Sequence, residues 1–183
     1  MLNTVKKKNE PLQKVKKQRL YQEFCESIED LIEHPVVLEM KKYPHHCTTS
    51  CYQHCLNVAY YNFKICKAFG LDARAAARAG MVHDLFLYDW RTHAKLTKEH
   101  FHAMTHPKLA LDNAKKHFEL NELEQEIILK HMWPLTVIPP KSWEAFIIGA
   151  TDKYCGFFEI ADFYFETLTP NWLHFPFGKI HVK

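Results

Sequence analysis

The feature that most constrains this chain is an apolar spacing that is helical almost everywhere and alternating almost nowhere. From about Thr49 to Gly70, the residues His54, Val58, Tyr61 and Ile65 recur at i, i+4, i+7 and i+11, which is one face of a helix. Leu20, Phe24, Ile28 and Leu31 or Ile32 make a similar stripe that stops before Pro35, so a first helix is predicted over about 17–33. Pro44 interrupts the segment that follows. Gly70 suits the C-terminal stop of the second helix, and Asp72 suits the N-cap of a third, DARAAARAGMVHDLF, whose alanines permit close packing. The polar stretch DWRTHAKLTKEHFHAMT reads as a loop. Pro107 suits the first turn of a fourth helix, PKLALDNAKKHF, and NELEQEIILKHM makes a fifth that ends before Pro134. KSWEAFIIGATDKYCGFFEIADFYFETL makes a long sixth, with Ile148, Asp152 and Cys155 on one side. Only 5 glycines and 47% hydrophobic residues favour helices over tightly turning strands. The expectation is an all-α single domain of about six main helices.

A chain of 183 residues suits one core. The expected division is a basic, partly frayed N-terminus over 1–16, a domain over 17–168 and a tail over 169–183. The first nineteen residues carry seven Lys/Arg against one Glu, but a net charge of +3 is too small to argue a nucleic-acid partner. No apolar run approaches the roughly 18 to 20 residues of a membrane span, and the N-terminus lacks an apolar export segment. A cytoplasmic protein is therefore expected, with its six cysteines reduced and a homodimer possible. Cys47, Cys51 and Cys55, in HHCTTSCYQHC, fall at four-residue steps that stack thiols along one helical face; small buried thiols are the plain reading and a second structural metal site the alternative.

Residues 80–90, GMVHDLFLYDW, place a histidine and an aspartate in the middle of an apolar run. Buried without partners that pair costs free energy, so it implies a hydrogen-bond network, a metal or water. His54 faces inward on the second helix, and Asp152 lies in the apolar run AFIIGATDKYC, where a carboxylate needs a cation or several donors. His106 and His131 stand at the edges of the fourth and fifth helices and can reach the same pocket. Imidazole nitrogens combined with carboxylate oxygens suit Zn, Fe, Mn or Co better than Ca or Mg alone. By default His93, His100, His102 and His117 are surface residues, His45 and His46 edge the pocket at most, Arg74 and Arg78 form a solvated basic stripe, and FFEIADFYF is core.

The order His54, His83-Asp84, Asp152 resembles the signature of the HD superfamily of metal-dependent phosphohydrolases, and the match spans about residues 50–160. The added His106 and His131 resemble the subgroup that holds two metals, which includes bacterial diadenosine tetraphosphate hydrolases, cyclic dinucleotide phosphodiesterases and diiron oxygenases. The resemblance implies an all-helical HD fold and two divalent metal ions, Fe, Mn, Zn or Co. His54, His83, Asp84 and Asp152 would hold the first and Asp84, His106 and His131 the second. Two departures matter: LFLYDW follows the HD pair where many relatives have a glycine and a lysine, and the Gly-Tyr-Pro tripeptide of the cyclic-di-GMP enzymes is missing.

The implied reaction is hydrolysis of a phosphate ester or phosphoanhydride in a nucleotide-like substrate by a metal-activated water, without a Ser or Cys nucleophile. His83 and Asp84 would be the catalytic pair, with Asp84 bridging. Arg91, Lys95 and Lys153, near motif residues in sequence, are candidate phosphate contacts, and His102 or Lys153 could protonate a leaving group. The rivals are an HD-type diiron oxygenase and a non-catalytic metal-containing module that binds a nucleotide. The expected partner is a phosphorylated small molecule rather than a membrane or nucleic acid.

Overall fold

The computed structural model describes residues 2–97, 101–168 and 180–182; for residues 2–12, 94–97, 166 and 168 it describes the backbone alone. The described residues are helical without a strand ladder, in the order α1 Leu2–Ser27, α2 Glu29–Ile32, α3 Pro35–Glu39, a 3₁₀ turn Met40–Lys42, α4 Cys51–Ala68, α5 Ala73–Val82, α6 Trp90–Thr97, α7 His102–His117, α8 Glu122–Lys130 and α9 Trp143–Leu168. The all-α expectation holds. Among the described residues no helix is long and apolar enough to cross a membrane.

The local chemistry explains most boundaries. α1 begins at Leu2, well before residue 17, because Lys, Gln and Arg lose little rotamer freedom in a helix. Its apolar stripe does not run unbroken to residue 33. The Ser27 hydroxyl donates back to the Glu23 carbonyl (2.7 Å), a bond that bends helices, and the chain restarts as α2. α4 opens on Ser50, whose Oγ accepts the Gln53 N–H (3.2 Å). It closes in a left-handed turn at Gly70 (φ +70°), where the Leu71 and Gly70 N–H groups reach the carbonyls of Cys66 and Lys67. The Asp72 side chain caps α5 through the Ala75 N–H (2.9 Å). Gly80 is required here: a Cβ at that position would lie 2.8 Å from Ala59 Cα, so α4 and α5 meet backbone to backbone.

Two helix expectations are corrected. α6 occupies part of the stretch expected to be a loop. Asp89 captures its start, its carbonyl accepting the Thr92 and His93 N–H groups and its carboxylate accepting the Arg91 N–H (3.0 Å). α7 begins at His102 and not at Pro107. The Phe101 carbonyl accepts the Met104 and Thr105 N–H groups and closes a first turn ahead of the proline, which then sits inside the helix and forfeits one backbone bond.

α4 is the central helix, packed on α5 and α9, with α8 bridging α5, α7 and α9. Phe24, Ile28, Leu31, Met40, Met81, Leu85, Ile127, Ile128 and Ile148 are fully buried around it. Arg78 belongs to this interior and not to the solvated stripe expected for it. Only 8% exposed, it donates Nε–H to Glu124 Oε1 (2.8 Å) and pairs through Nη1 with Asp30. Glu124 also closes the capping box of α8 with Asn121. Deleting the guanidinium would strand a buried carboxylate, so Arg78→Ala is expected to cost about 3 kcal/mol. Urea denaturation measures this as a lower midpoint at an unchanged slope.

Candidate metal centre

Two helices end at one point and a third passes it, and each presents an imidazole whose Nδ1 is held by a carbonyl of its own helix. The last carbonyls of a helix lack intrahelical donors, so a histidine at the C-cap can satisfy one with its own ring. His83, at the end of α5, directs Nδ1 to the Gly80 carbonyl (2.8 Å), and His131, at the end of α8, directs Nδ1 to the Ile128 carbonyl (2.7 Å). On α7, His106 directs Nδ1 to the His102 carbonyl (2.9 Å). A carbonyl only accepts, so each Nδ1 carries the proton and each Nε2 is left with a lone pair. His54, on α4, differs in having a carboxylate behind it: Nδ1 lies 2.9 Å from Glu159 Oε2, and Nε2 lies 3.0 Å from Asp152 Oδ1.

The four Nε2 atoms converge with two carboxylates. Asp84 Oδ1 lies 3.2 Å from His106 Nε2 and 3.5 Å from His131 Nε2; its Oδ2 lies 3.5 Å from His83 Nε2. Asp152 Oδ1 lies 3.7 Å from His83 Nε2. His106 Nε2 and His131 Nε2, both lone pairs by the reasoning above, face each other at 2.8 Å. His83 Nε2 and Asp84 Oδ1 are buried without a hydrogen-bond partner. A set of acceptors aimed at one another in a buried space requires a cation or shared protons among them. Four groups among the described residues have ligand atoms within 4.8 Å of one another: His54, His83 and Asp84; His83, His131 and Asp152; Asp84, His106 and His131; and, behind His54, His45, His46, His54 and Glu159. Imidazole nitrogen with carboxylate oxygen fits a divalent transition metal or zinc.

The electrostatics agree. Burial alone would raise the Asp84 carboxyl, but the charge of His83 and the hydrogen bond from His45 hold it well below the usual carboxylate range. Burial would likewise lower His54, yet its bonds to Asp152 and Glu159 lift it well above its ordinary value. His83 is lifted against burial chiefly by Asp84. His131, buried and facing His83 and His106, is pushed down to about 3 and is neutral. In the metal-free protein the Nε2 lone pairs of His54 and His83 therefore take up a proton at pH 7, while His131 keeps its own free, and ligation through Nε2 must displace those protons. Metal uptake at pH 7 is expected to release protons, and apparent affinity to fall as pH drops. Calorimetric titration in buffers of different ionisation enthalpy reads the release directly; uptake without it would contradict this charge state.

All six metal-ligand candidates, His54, His83, Asp84, His106, His131 and Asp152, are brought together; of the substrate candidates, Lys153 and His102 line the cavity over them and Arg91 does not. Arg91 is exposed and held on Asp89 through Nε and Nη2, both at 3.1 Å, and does not line the cavity over the site. Lys153 lines it, but its Nζ is committed to the carbonyls of Gly149 (2.9 Å), Trp133 (3.3 Å) and His131 (3.5 Å). The side chain of Lys95 lies outside the described residues. His102, read first as a surface residue, lines the cavity beside His106, with Nδ1 2.8 Å from the Tyr88 hydroxyl. Of the cysteine cluster only Cys51 and Cys55 share α4; Cys47 sits in the preceding turn (φ 50°), and the Cys51 thiol donates to the Asp84 carbonyl (3.3 Å).

Sequence reasoning missed two supporting residues. His45, expected at most to edge the pocket, is buried and donates Nε2–H to Asp84 Oδ2 (2.8 Å) while stacking on His54. Glu159, lost in the aromatic run, holds His54 with one oxygen and accepts the Asn57 amide with the other (2.9 Å). Its signal was the spacing, seven residues beyond Asp152 on the same face of α9. Glu159→Ala leaves both donors unsatisfied and should weaken metal affinity roughly 10 to 100-fold, with Glu159→Gln intermediate, as read by competition with a chelator.

An all-α domain whose helices deliver four imidazoles and two carboxylates to one buried point defines a metal-binding helical domain. The particular class follows from comparison: the family model described as HD domain matches residues 51–155, and the chain belongs to that family, whose members are typically metal-dependent phosphohydrolases. Comparison with curated proteins and with solved structures returns no match.

Proposed function

We propose that this protein is a dinuclear metal-dependent phosphohydrolase that cleaves a phosphate ester or anhydride of a nucleotide-like substrate. The observation that carries the reading is the convergence of Nε2 lone pairs on Asp84 within an HD domain. His54, His83, Asp84 and Asp152 would hold one cation, and Asp84, His106 and His131 the other. When bound, such a pair acidifies a water towards neutrality and neutralises phosphoryl charge. The chain's own groups do the positioning. Asp84, kept ionised by its surroundings, offers one oxygen to each ligand group. His45 fixes the carboxylate plane from behind, and Glu159 fixes the ring of His54. His102, pushed down to about 4 chiefly by burial, is a neutral imidazole at the cavity wall, placed to donate a hydrogen bond to a leaving oxygen once Tyr88 donates to its Nδ1.

The test is metal analysis of the purified chain, followed by phosphate release from nucleotides and simple phosphomonoesters with Mn or Co, under nitrogen and in air. Release without oxygen supports hydrolysis. Turnover that requires both iron and oxygen would make the chain an HD-type oxygenase, and metal-dependent nucleotide binding without turnover would make it a binding module.

A further inference from the structure

The cavity above the ligand cluster has a volume of about 360 Å³. That is near the lower end of small-molecule sites, roughly 300 to 1,000 Å³. One side of it is the ligand set; the other is apolar, formed by Trp90, Ala103, Met132, Phe157 and Ile160. Phe157 is 66% exposed, and Ile160 is exposed beside it, so this part of the aromatic run faces the cavity and is not core as the sequence suggested. No Ser, Thr, Asn or Gln lines the cavity among the described residues, so its wall has little with which to read a base by hydrogen bonding. Of the two cations near it, Arg91 is paired with Asp89, while Lys153 lines the cavity with its Nζ held on three carbonyls and its charge uncancelled.

Charge and volume together narrow the substrate. Two divalent cations against the two ligand aspartates leave positive charge enough for one dianionic phosphate. Beyond the metals the described lining offers one cation, Lys153, so a further string of phosphates would lie largely against an apolar wall, which is costly. Resting on the phosphohydrolase part of the proposed function, and replacing its nucleotide-like substrate with a smaller one, we propose that the substrate is a phosphomonoester bearing a single compact aromatic or apolar group. The phosphate lies at the metal centre and the group lies against Trp90 and Phe157. Dinucleoside polyphosphates, the substrates of one subgroup that the sequence resembles, fall outside this class. In the reaction water adds to phosphorus, the P–O ester bond breaks, and the departing alkoxide takes a proton, giving an alcohol and inorganic phosphate.

Binding to the zinc-loaded full chain, measured calorimetrically with non-hydrolysable probes, tests the class. Benzylphosphonate is expected to bind at least roughly tenfold more tightly than methylphosphonate, because the ring buries apolar surface. Phe157→Ala and Trp90→Ala should each narrow that gap, and diadenosine tetraphosphate should bind no more tightly than methylphosphonate. A tighter diadenosine tetraphosphate, or a gap that survives both substitutions, overturns the proposal. Phosphate release from phenyl phosphate, beside nucleotide products from diadenosine tetraphosphate read by chromatography, separates the two levels. If the binding pattern is found but no metal supports release, the hydrolase reading fails and the ligand class stands; if diadenosine tetraphosphate alone is cleaved, the hydrolase reading stands and the class fails.

Discussion

Asp84→Ala is expected to strip the metal centre and lower turnover by at least ~10³-fold, the largest single effect in this molecule. Asp84 is the group common to two of the ligand clusters, with Oδ1 towards His106 and His131 and Oδ2 towards His83. Without it the remaining imidazoles carry no compensating charge on that side, and several kcal/mol of transition-state stabilisation disappear with the cations, at about 1.4 kcal/mol per tenfold in rate. The substitution also removes the acceptor for His45 Nε2–H, at about 1 to 3 kcal/mol of fold stability. Asp84→Asn separates the two effects, because an amide oxygen can still accept from His45 while the charge is gone. The amide variant should therefore keep most of the stability and still lose the metal. Elemental analysis beside a denaturation curve checks this; full metal content and normal turnover in Asp84→Ala would remove the premise of a metal centre here.

His54 and Asp152 were legible because each is a polar residue inside an apolar periodicity, whereas His106 and His131 stood out at helix edges and through the resemblance to a two-metal subgroup. His54 falls on the stripe with Val58, Tyr61 and Ile65, and Asp152 interrupts a run that only a core would tolerate. Nothing local in the sequence explains them, so something distant had to. The groups that failed to be legible failed for the opposite reason: a partner supplies their environment. Arg78 looks like half of a basic stripe, and its burial depends on Glu124, which reaches it from another helix. Arg91 looks like a phosphate clamp, and the neighbouring Asp89 takes its guanidinium. α6 is short and mostly polar, and its start is fixed by the Asp89 cap. α7 carries a proline that marks a first turn by itself, until the Phe101 carbonyl closes an earlier one. Glu159 was hidden by its aromatic neighbours, although the same face of α9 that gives Asp152 also gives Glu159. Periodicity thus reports which side chains turn inward; the pairing of inward charges is decided by which helix ends meet.

His106→Ala and His131→Ala test whether the proposed second cation is separate from the first. Both rings belong with Asp84 in one cluster, and their Nε2 atoms, 2.8 Å apart, are the closest pair of facing lone pairs in the site. Removing either relieves that repulsion, so the metal-free protein should lose little stability through the pair itself; the cost of an emptied ring volume remains. His54, His83 and Asp152 are untouched by His106→Ala, and Asp84 keeps His45 behind it. The expected result is a fall from two metals per chain to one, with turnover reduced by roughly 10² to 10⁴-fold, which corresponds to several kcal/mol of lost charge stabilisation. The two substitutions should not be additive, because either alone already breaks the second ligand set. His131→Ala is the more severe test, since His131 also stands with His83 and Asp152 in the neighbouring cluster. It should weaken the remaining metal where His106→Ala does not, a difference that chelator competition resolves. Two metals retained in both variants would argue for a mononuclear centre accompanied by an adventitious ion, and would leave Asp84 as a terminal ligand instead of a bridge.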